Sequence, residues 1–165
     1  MVAGKILWQG KVLSIQPRIR LTRSYDQRFH NYLGYVLRID GHVADEQREF
    51  LIGIGKGAHA KHQLHAGHEL RGLCEAAADH RVEPADFYKV SRLQITGGSP
   101  QKSGDPPPWL GIPPELTVYR ERGHRRLDAR TYSARCTTCI WGCRMAVEMI
   151  IDQWKPDKNA YTAPI

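Results

Sequence analysis

The segment KVLSIQPRIRLTR, residues 11–23, decides the fold class of this chain because its apolar and polar side chains alternate. Apolar residues hold odd positions and polar or basic residues hold even ones: Leu13, Ile15, Ile19 and Leu21 against Ser14, Gln16, Arg18, Arg20 and Thr22. A period of two predicts a long β-strand with one buried face. Pro17 interrupts the segment and predicts an edge position or a bend, because proline has no backbone N–H to donate.

Four more strand patterns and one short helix follow this segment. The predicted strands are residues 32–39, 50–54, 67–74 and 87–95, and the predicted helix is residues 58–64. In the second strand, alternation places Tyr32, Val36 and Arg38 on the polar face, opposite Tyr35 and Leu37. Residues 1–96 are therefore predicted to form a mainly β domain.

The order of these elements resembles the OB-fold, a five-stranded Greek-key barrel with a short helix between strands three and four. The segment HAGHELRG, residues 65–72, is similar to the Gly-x₄-Gly entry to the fourth strand of such barrels. The resemblance covers about residues 5–96. It implies binding of a single nucleic-acid strand across strands two and three, by stacking on aromatic side chains in a basic groove.

Residues 97–165 differ in character and are predicted to pack on the barrel as a second unit. A Pro- and Gly-rich crossover opens this unit, and a basic segment with six arginines follows between Arg120 and Arg135. From Cys143 to Trp154, apolar residues recur with a helical period, which predicts an amphipathic helix whose stripe faces the core. Pro156 would end that helix.

Three cysteines, Cys136, Cys139 and Cys143, fall within eight residues and predict a metal knuckle. The C-x₂-C pair lets two soft thiolates reach one ion across a tight turn. The C-x₂-C-x₃-C spacing matches neither a zinc ribbon nor a ferredoxin run. Zinc is favoured, and a [4Fe–4S] cluster is the alternative, since Ile140 and Trp141 would give a cluster an apolar surround. Cys74 is favoured as the fourth ligand, narrowly over a buried core thiol, and His124, solvent or a carboxylate are the alternatives.

The charge balance favours a polyanionic partner. Lys and Arg outnumber Asp and Glu by 24 to 17, so the net charge is +7. The candidate nucleic-acid contacts are basic or aromatic residues on predicted polar faces or in the basic segment: Arg18, Arg20, Tyr32, Arg38, Tyr88, Arg92, Arg125 and Arg126. The arginines between Arg120 and Arg135 form either a solvated connector or a phosphate-binding face.

The remaining sequence patterns mainly argue against particular functions. His59, His62, His65 and His68 recur at every third position, but no accompanying motif makes a hydrolytic zinc site, so a surface cluster is expected. Nucleotide-binding and hydrolase motifs are absent, so no autonomous catalysis is expected. No apolar run could span a bilayer and no secretory leader is recognisable, which predicts a cytoplasmic protein without a membrane partner.

The sequence therefore predicts a small cytoplasmic protein that binds RNA or single-stranded DNA and carries a structural, cysteine-ligated metal. Two other classes stay open. One is a non-catalytic OB/zinc accessory subunit that binds an enzyme as its protein partner, and the other is an iron–sulfur redox or sensor protein.

Overall fold

A closed five-stranded barrel forms the body of the protein. The computed structural model describes residues 4–23, 28–99, 115–122, 129–136, 144–152, 154–155 and 160–162. The barrel strands are β1 (Ile6–Arg23), β2 (Arg28–Val43), β3 (Glu46–Gly55), β4 (Glu69–Ala76) and β5 (Phe87–Gly97), with helix α1 (Lys56–His62) between β3 and β4. The ring closes in the order β1-β2-β3-β5-β4-β1, with every contact antiparallel except β3–β5. The predicted barrel and helix are confirmed, and the topology is compatible with an OB-like barrel.

Strand β1 closes the barrel because it pairs with two neighbours along its length. Its first residues pair with β4, while almost its whole length pairs with β2. A β-bulge at Leu13 separates the pairs Val12↔Ile39 and Ser14↔Arg38. The extra residue changes which positions point inward, so Val12 and Ile15 are buried while Leu13 is only partly buried. The predicted inward position of Leu13 beside Ile15 is therefore corrected by the bulge.

A second irregularity corrects the predicted face of Tyr32. Arg18 pairs with Gly34 and Ile19 pairs with Tyr32, so Leu33 is the extra residue in β2. A residue without a partner reverses the alternation beyond it, because successive side chains point to opposite faces. Tyr32 thus enters the core and is 4% exposed, whereas alternation alone placed it on the polar face.

The barrel interior is filled by aromatic and branched side chains from all five strands. Phe50 joins the two ends of an aromatic row, with edge-to-face contacts to Trp8 at 6.2 Å and to Phe87 at 5.7 Å between ring centroids. Such pairs stabilise a core beyond their buried area. Other members of the same buried cluster are Val12, Ile15, Tyr35, Leu37, Ile39, Ile52, Ile54, Leu64, Leu70 and Cys74.

The C-terminal part joins the barrel through strand pairing. Its described elements are helices α2 (Leu116–Arg122) and α3 (Ala129–Thr131), a π-helical turn (Tyr132–Cys136), and strands β6 (Ala146–Met149) and β7 (Ala160–Thr162). Strand β6 pairs in parallel with the end of β1, from Arg20↔Ala146 to Arg23↔Met149, and β7 pairs with β6.

The predicted helix from Cys143 to Trp154 is wrong where the structure describes these residues. Beyond Lys11, β1 no longer pairs with β4, so the edge of its second half is available to another strand. Val147 pairs with Leu21 there, and both side chains are buried. Backbone pairing and burial override the helical period, because β-branched residues also suit a strand.

Helix α2 provides the other contact between the C-terminal part and the barrel. Leu116 is buried in the core cluster, and the Tyr32 hydroxyl donates to the carbonyl of Tyr119 at 3.4 Å. These contacts and the pairing of β6 hold described parts of the C-terminal region against β1 and β2. None of the helices in the described part of the chain has the length and apolarity to cross a membrane.

Candidate nucleic-acid interface

The outer face of β1, β2 and β3 forms a continuous wall that carries most of the predicted basic residues in the described barrel. Between the two bulges the register is regular, so the pairs Ser14↔Arg38 and Arg18↔Gly34 point outward together. We call this surface the arginine wall and define it by its outward residues: Ser14, Gln16, Arg18, Arg20, Val36, Arg38, Leu51 and Gly53.

A small, shallow depression with a volume of about 10 Å³ lies in the arginine wall. Val36, Leu51 and Pro84 give it an apolar lining, while Ser14 and Gln16 contribute polar groups. Two arginines from distant parts of the sequence complete it: Arg38 from β2, and Arg144 from the segment that precedes β6. Arg144 was missed by sequence reasoning, because the predicted helix placed it on a solvent face with no relation to the barrel.

The guanidinium of Arg38 is held by an exposed ion pair. Its Nε donates to Glu49 Oε2 at 2.9 Å, and the Glu49 side chain is half exposed. An ion pair of this kind contributes little net stability, because solvent and salt screen it. Arg38 can therefore exchange its carboxylate partner for a phosphate at small cost.

Arg18 has a different role, because it is engaged with a buried carboxylate. Its Nε donates to Glu83 Oε1 at 3.0 Å, its Nη2 contacts Glu83 Oε2, and Glu83 is buried. The guanidinium lies over Gly53, where a Cβ would come within 3.1 Å of Arg18 Nε. The N–H of Ala85 also donates to Glu83 Oε1 at 3.2 Å. The ion pair thus fixes the loop that places Pro84 at the depression.

Arg20 supports the same loop from the next outward position of β1. Its Nη2 donates to the carbonyl oxygen of Val82 at 3.1 Å. Within the described residues its Nε is buried without a hydrogen-bond partner. The structure therefore brings Arg18 and Arg20, which share a parity in β1, to one wall with Arg38 of β2, but uses the first two to anchor a loop.

The other predicted nucleic-acid contacts lie elsewhere. Tyr32 is in the core and its ring is covered by the Arg120 guanidinium, 5.4 Å from the centroid. Tyr88 and Arg92 lie on β5 and do not line the depression. Inward-facing Phe87 pairs with Ile52 of β3, so Tyr88 points outward beside the arginine wall. Lys89 and Arg92 both have positive φ at bulges of β5, and Lys89 Nζ lies 5.0 Å from the Tyr88 ring centroid. Arg125 and Arg126 lie outside the described residues.

The predicted metal ligands are only partly within the described chain. Cys74 is fully buried in the barrel, and its thiol donates to the carbonyl of Ile6 at 3.6 Å. Burial raises the pKa of the Cys74 thiol to about 11, which disfavours the thiolate that a metal requires. Cys136 is a partly buried free thiol at the end of the π-helical turn. Cys139, Cys143 and His124 lie outside the described residues.

The histidines do not form the expected surface cluster. His59 is buried with its ring 4.2 Å from that of Tyr35, and the rings of His65 and His68 stack at 3.4 Å. Burial first, and the neighbouring His65 second, lower the pKa of His68. Among the described residues, no group of three or more His, Cys, Asp or Glu side chains is arranged to hold a metal ion.

The arginine wall is thus the described surface where predicted basic contacts and a depression coincide. Its depression is lined by two arginines, two polar side chains and three apolar residues, a mixture suited to a charged ligand with flat apolar parts. Comparisons of the chain with protein families, with curated proteins and with solved structures found no match.

Proposed function

We propose that this OB-like barrel binds a single strand of RNA or DNA along the arginine wall. The observation that carries the proposal is the convergence of Arg38 and Arg144, which are far apart in sequence, on one depression of the barrel surface. The net charge of +7 supports a polyanionic ligand. Strands two and three are also the surface that OB-folds use for single strands.

Each part of the depression has a chemical role in this proposal. Arg38 and Arg144 contact phosphates, and a phosphate replaces Glu49 beside Arg38. Leu51 and Pro84 are partly exposed and offer an apolar surface to sugars or base faces. Gln16 supplies a hydrogen-bonding group, whereas Arg18 acts indirectly by holding the Pro84 loop.

A salt titration of oligonucleotide binding tests the arginine wall. We expect Arg38→Ala and Arg144→Ala each to weaken binding of a fluorescent oligo(dT) or oligo(U), and to reduce the slope of log affinity against log salt by about one. Each variant removes a cation that releases counterions from the strand. Fluorescence anisotropy between low and physiological salt measures both quantities.

The matched control is Arg71→Ala on β4. Arg71 is exposed, and its Nε donates to Gln94 on β5, away from the depression. Arg71→Ala removes the same charge as the wall variants. It should reduce the slope of log affinity against log salt less than Arg38→Ala or Arg144→Ala does. Equal effects of all three variants, or an affinity that is independent of salt, would contradict the proposal. Stoichiometric co-purification with an enzyme and without nucleic acid would instead favour an accessory subunit.

We also propose that Cys136, Cys139 and Cys143 bind a structural metal, with zinc favoured over a [4Fe–4S] cluster. The supporting observation is that Cys136 is a partly buried free thiol that ends a π-helical turn, a rare conformation found mostly at functional positions. The barrel thiol of Cys74 fits poorly as the fourth ligand because of its burial, so His124 is the better candidate. Free thiols also agree with a reducing compartment, and we propose the cytoplasm.

Elemental analysis of natively purified protein tests this second proposal. We expect one zinc per chain, and loss of that zinc when Cys136, Cys139 and Cys143 are replaced together by serine. A brown colour and bound iron would instead support a [4Fe–4S] cluster at these cysteines. Metal-free protein whose melting temperature is unchanged by the triple replacement would exclude both metals.

A further inference from the structure

Trp154 is the most exposed large apolar residue in the described part of the chain. Its side chain is 85% exposed, and nearby Ile151 is 67% exposed. Large aromatic side chains are usually at least partly buried, so a projecting tryptophan needs an explanation. The sequence pattern placed Trp154 on the buried stripe of a helix, and the structure places it in a turn after β6 instead.

Hydrogen bonds hold the turn that presents Trp154. The backbone N–H of Trp154 donates to the Asp152 carboxylate at 2.9 Å, and the N–H of Lys155 donates to the Asp152 carbonyl at 3.1 Å. An Asp side chain that accepts from the backbone two residues ahead is a common way to fix a turn. The exposed ring is therefore attached to an ordered turn of the backbone.

Strand β6 connects this turn to the arginine wall. Arg144 precedes β6 and lines the depression, while the turn with Trp154 follows the strand. At about 3.3 Å per residue, the ten steps from Arg144 to Trp154 cover at most roughly 33 Å, a distance that several nucleotides can bridge. Arg144 and the turn with Trp154 thus flank the two ends of β6, which pairs with the end of β1.

We propose that Trp154 is a stacking platform for an unpaired base of the strand bound along the arginine wall. This inference rests on the proposed function and adds a selectivity for single strands. Of the predicted stacking residues, Tyr32 is buried and Tyr88 is only partly exposed, whereas Trp154 presents nearly its whole ring. Lys155, the next residue in the same turn, is exposed and supplies a cation for the phosphates that flank a stacked nucleotide.

Stacking on Trp154 explains why a single strand would be preferred over a duplex. In a duplex each base is already stacked and paired, so its face is not available to a side chain. Phosphate contacts by Arg38 and Arg144 are possible with either form. The arginine wall therefore binds single and double strands alike, and stacking on Trp154 makes the single strand bind more tightly.

The test compares Trp154→Ala and Trp154→Phe with the wild type on a single-stranded oligonucleotide and on a duplex of equal length. One lost base stack is worth about 1–3 kcal/mol, so Trp154→Ala should weaken single-strand binding by about 5- to 150-fold. Trp154→Phe should retain part of the affinity. Duplex affinity and the salt slope should not change, because no phosphate contact is lost.

Leu7→Ala is the matched control, because Leu7 is 62% exposed on the part of β1 that pairs with β4. It should leave both affinities unchanged. If the wild type binds no oligonucleotide, the proposed function itself fails. If the wild type binds through Arg38 and Arg144 but Trp154→Ala binds a single strand equally well, only this inference fails. Loss of self-association or of binding to anionic vesicles in Trp154→Ala, without loss of single-strand binding, would assign Trp154 to a second copy or to a lipid surface and overturn it.

Discussion

Replacement of Gly34 by alanine is expected to destabilise the protein by about 4 kcal/mol, from backbone strain and a steric overlap together. Gly34 has φ +138°, which an L side chain rarely adopts. A Cβ at this position would also overlap the carbonyl oxygen of Ile54 and lie 3.0 Å from the Cα of Gly55. Both neighbours are backbone atoms of the paired strand β3, so neither can rotate away.

The size of this effect follows from where Gly34 lies. Gly34 lies next to Leu33, the extra residue that turns Tyr32 into the core. Gly34 also pairs with β1 on one side and with β3 on the other. Stability of a small domain is about 5–15 kcal/mol, so a loss of about 4 kcal/mol removes a large fraction. Urea denaturation followed by circular dichroism measures it.

Gly55→Ala is the internal control for Gly34→Ala. Gly55 pairs directly with Gly34, but its φ is −78° and a Cβ there would meet no atom within 4 Å. The control should change the free energy of unfolding by no more than about 0.5 kcal/mol. Equal losses in the two variants would show that the close approach of Gly34 to β3 does not determine the stability.

Breaking the ion pair between Arg18 and Glu83 is the second large effect that we expect. Arg18→Met removes the partner of a buried carboxylate, and an uncompensated buried charge costs about 3–5 kcal/mol. Glu83 is 4% exposed, so water cannot replace the guanidinium without opening the loop. The free energy of unfolding in urea at neutral pH should therefore fall sharply.

Two comparisons separate a buried charge from a simple loss of contacts. The double variant Arg18→Met with Glu83→Leu should be more stable than Arg18→Met alone, since replacing both charges with apolar groups leaves nothing unpaired. Arg38→Ala breaks the exposed pair with Glu49 and should cost no more than about 1 kcal/mol. The buried charge would not explain the loss of stability if Arg18→Met lowered the free energy of unfolding no more than Arg38→Ala does. The same conclusion would follow if the double variant were less stable than Arg18→Met.

Much of the barrel was predictable from local patterns. The cores of all five strands and the helix between β3 and β4 follow from alternation and turn residues, and β1 and β2 differ mainly by extending further at their ends. The parity of residues 14–20 also predicted that Ser14, Gln16, Arg18 and Arg20 share a face, and the regular register of β1 from Ser14 onward keeps them together. Alternation is a local signal, and it holds wherever the strand is regular.

The features that carry the proposed site came only from the tertiary structure. A bulge is set by the pairing of two strands, so the burial of Tyr32 could not be deduced from its own strand. The pairing of β6 with β1 depends on a free strand edge more than a hundred residues away, and this pairing places Arg144 at the depression and Trp154 in an exposed turn. The engagement of Arg18 by Glu83 likewise needs a loop 65 residues along the chain.

The sequence alone thus determined the five barrel strands, the helix between β3 and β4 and the basic charge of the protein, because neighbouring side chains suffice to encode a period and a net charge. The tertiary structure decided which arginines are available, which aromatic ring is exposed and how the C-terminal part is attached. Those properties depend on contacts between residues far apart in the chain, where burial and unsatisfied backbone groups outweigh the preferences of any single segment.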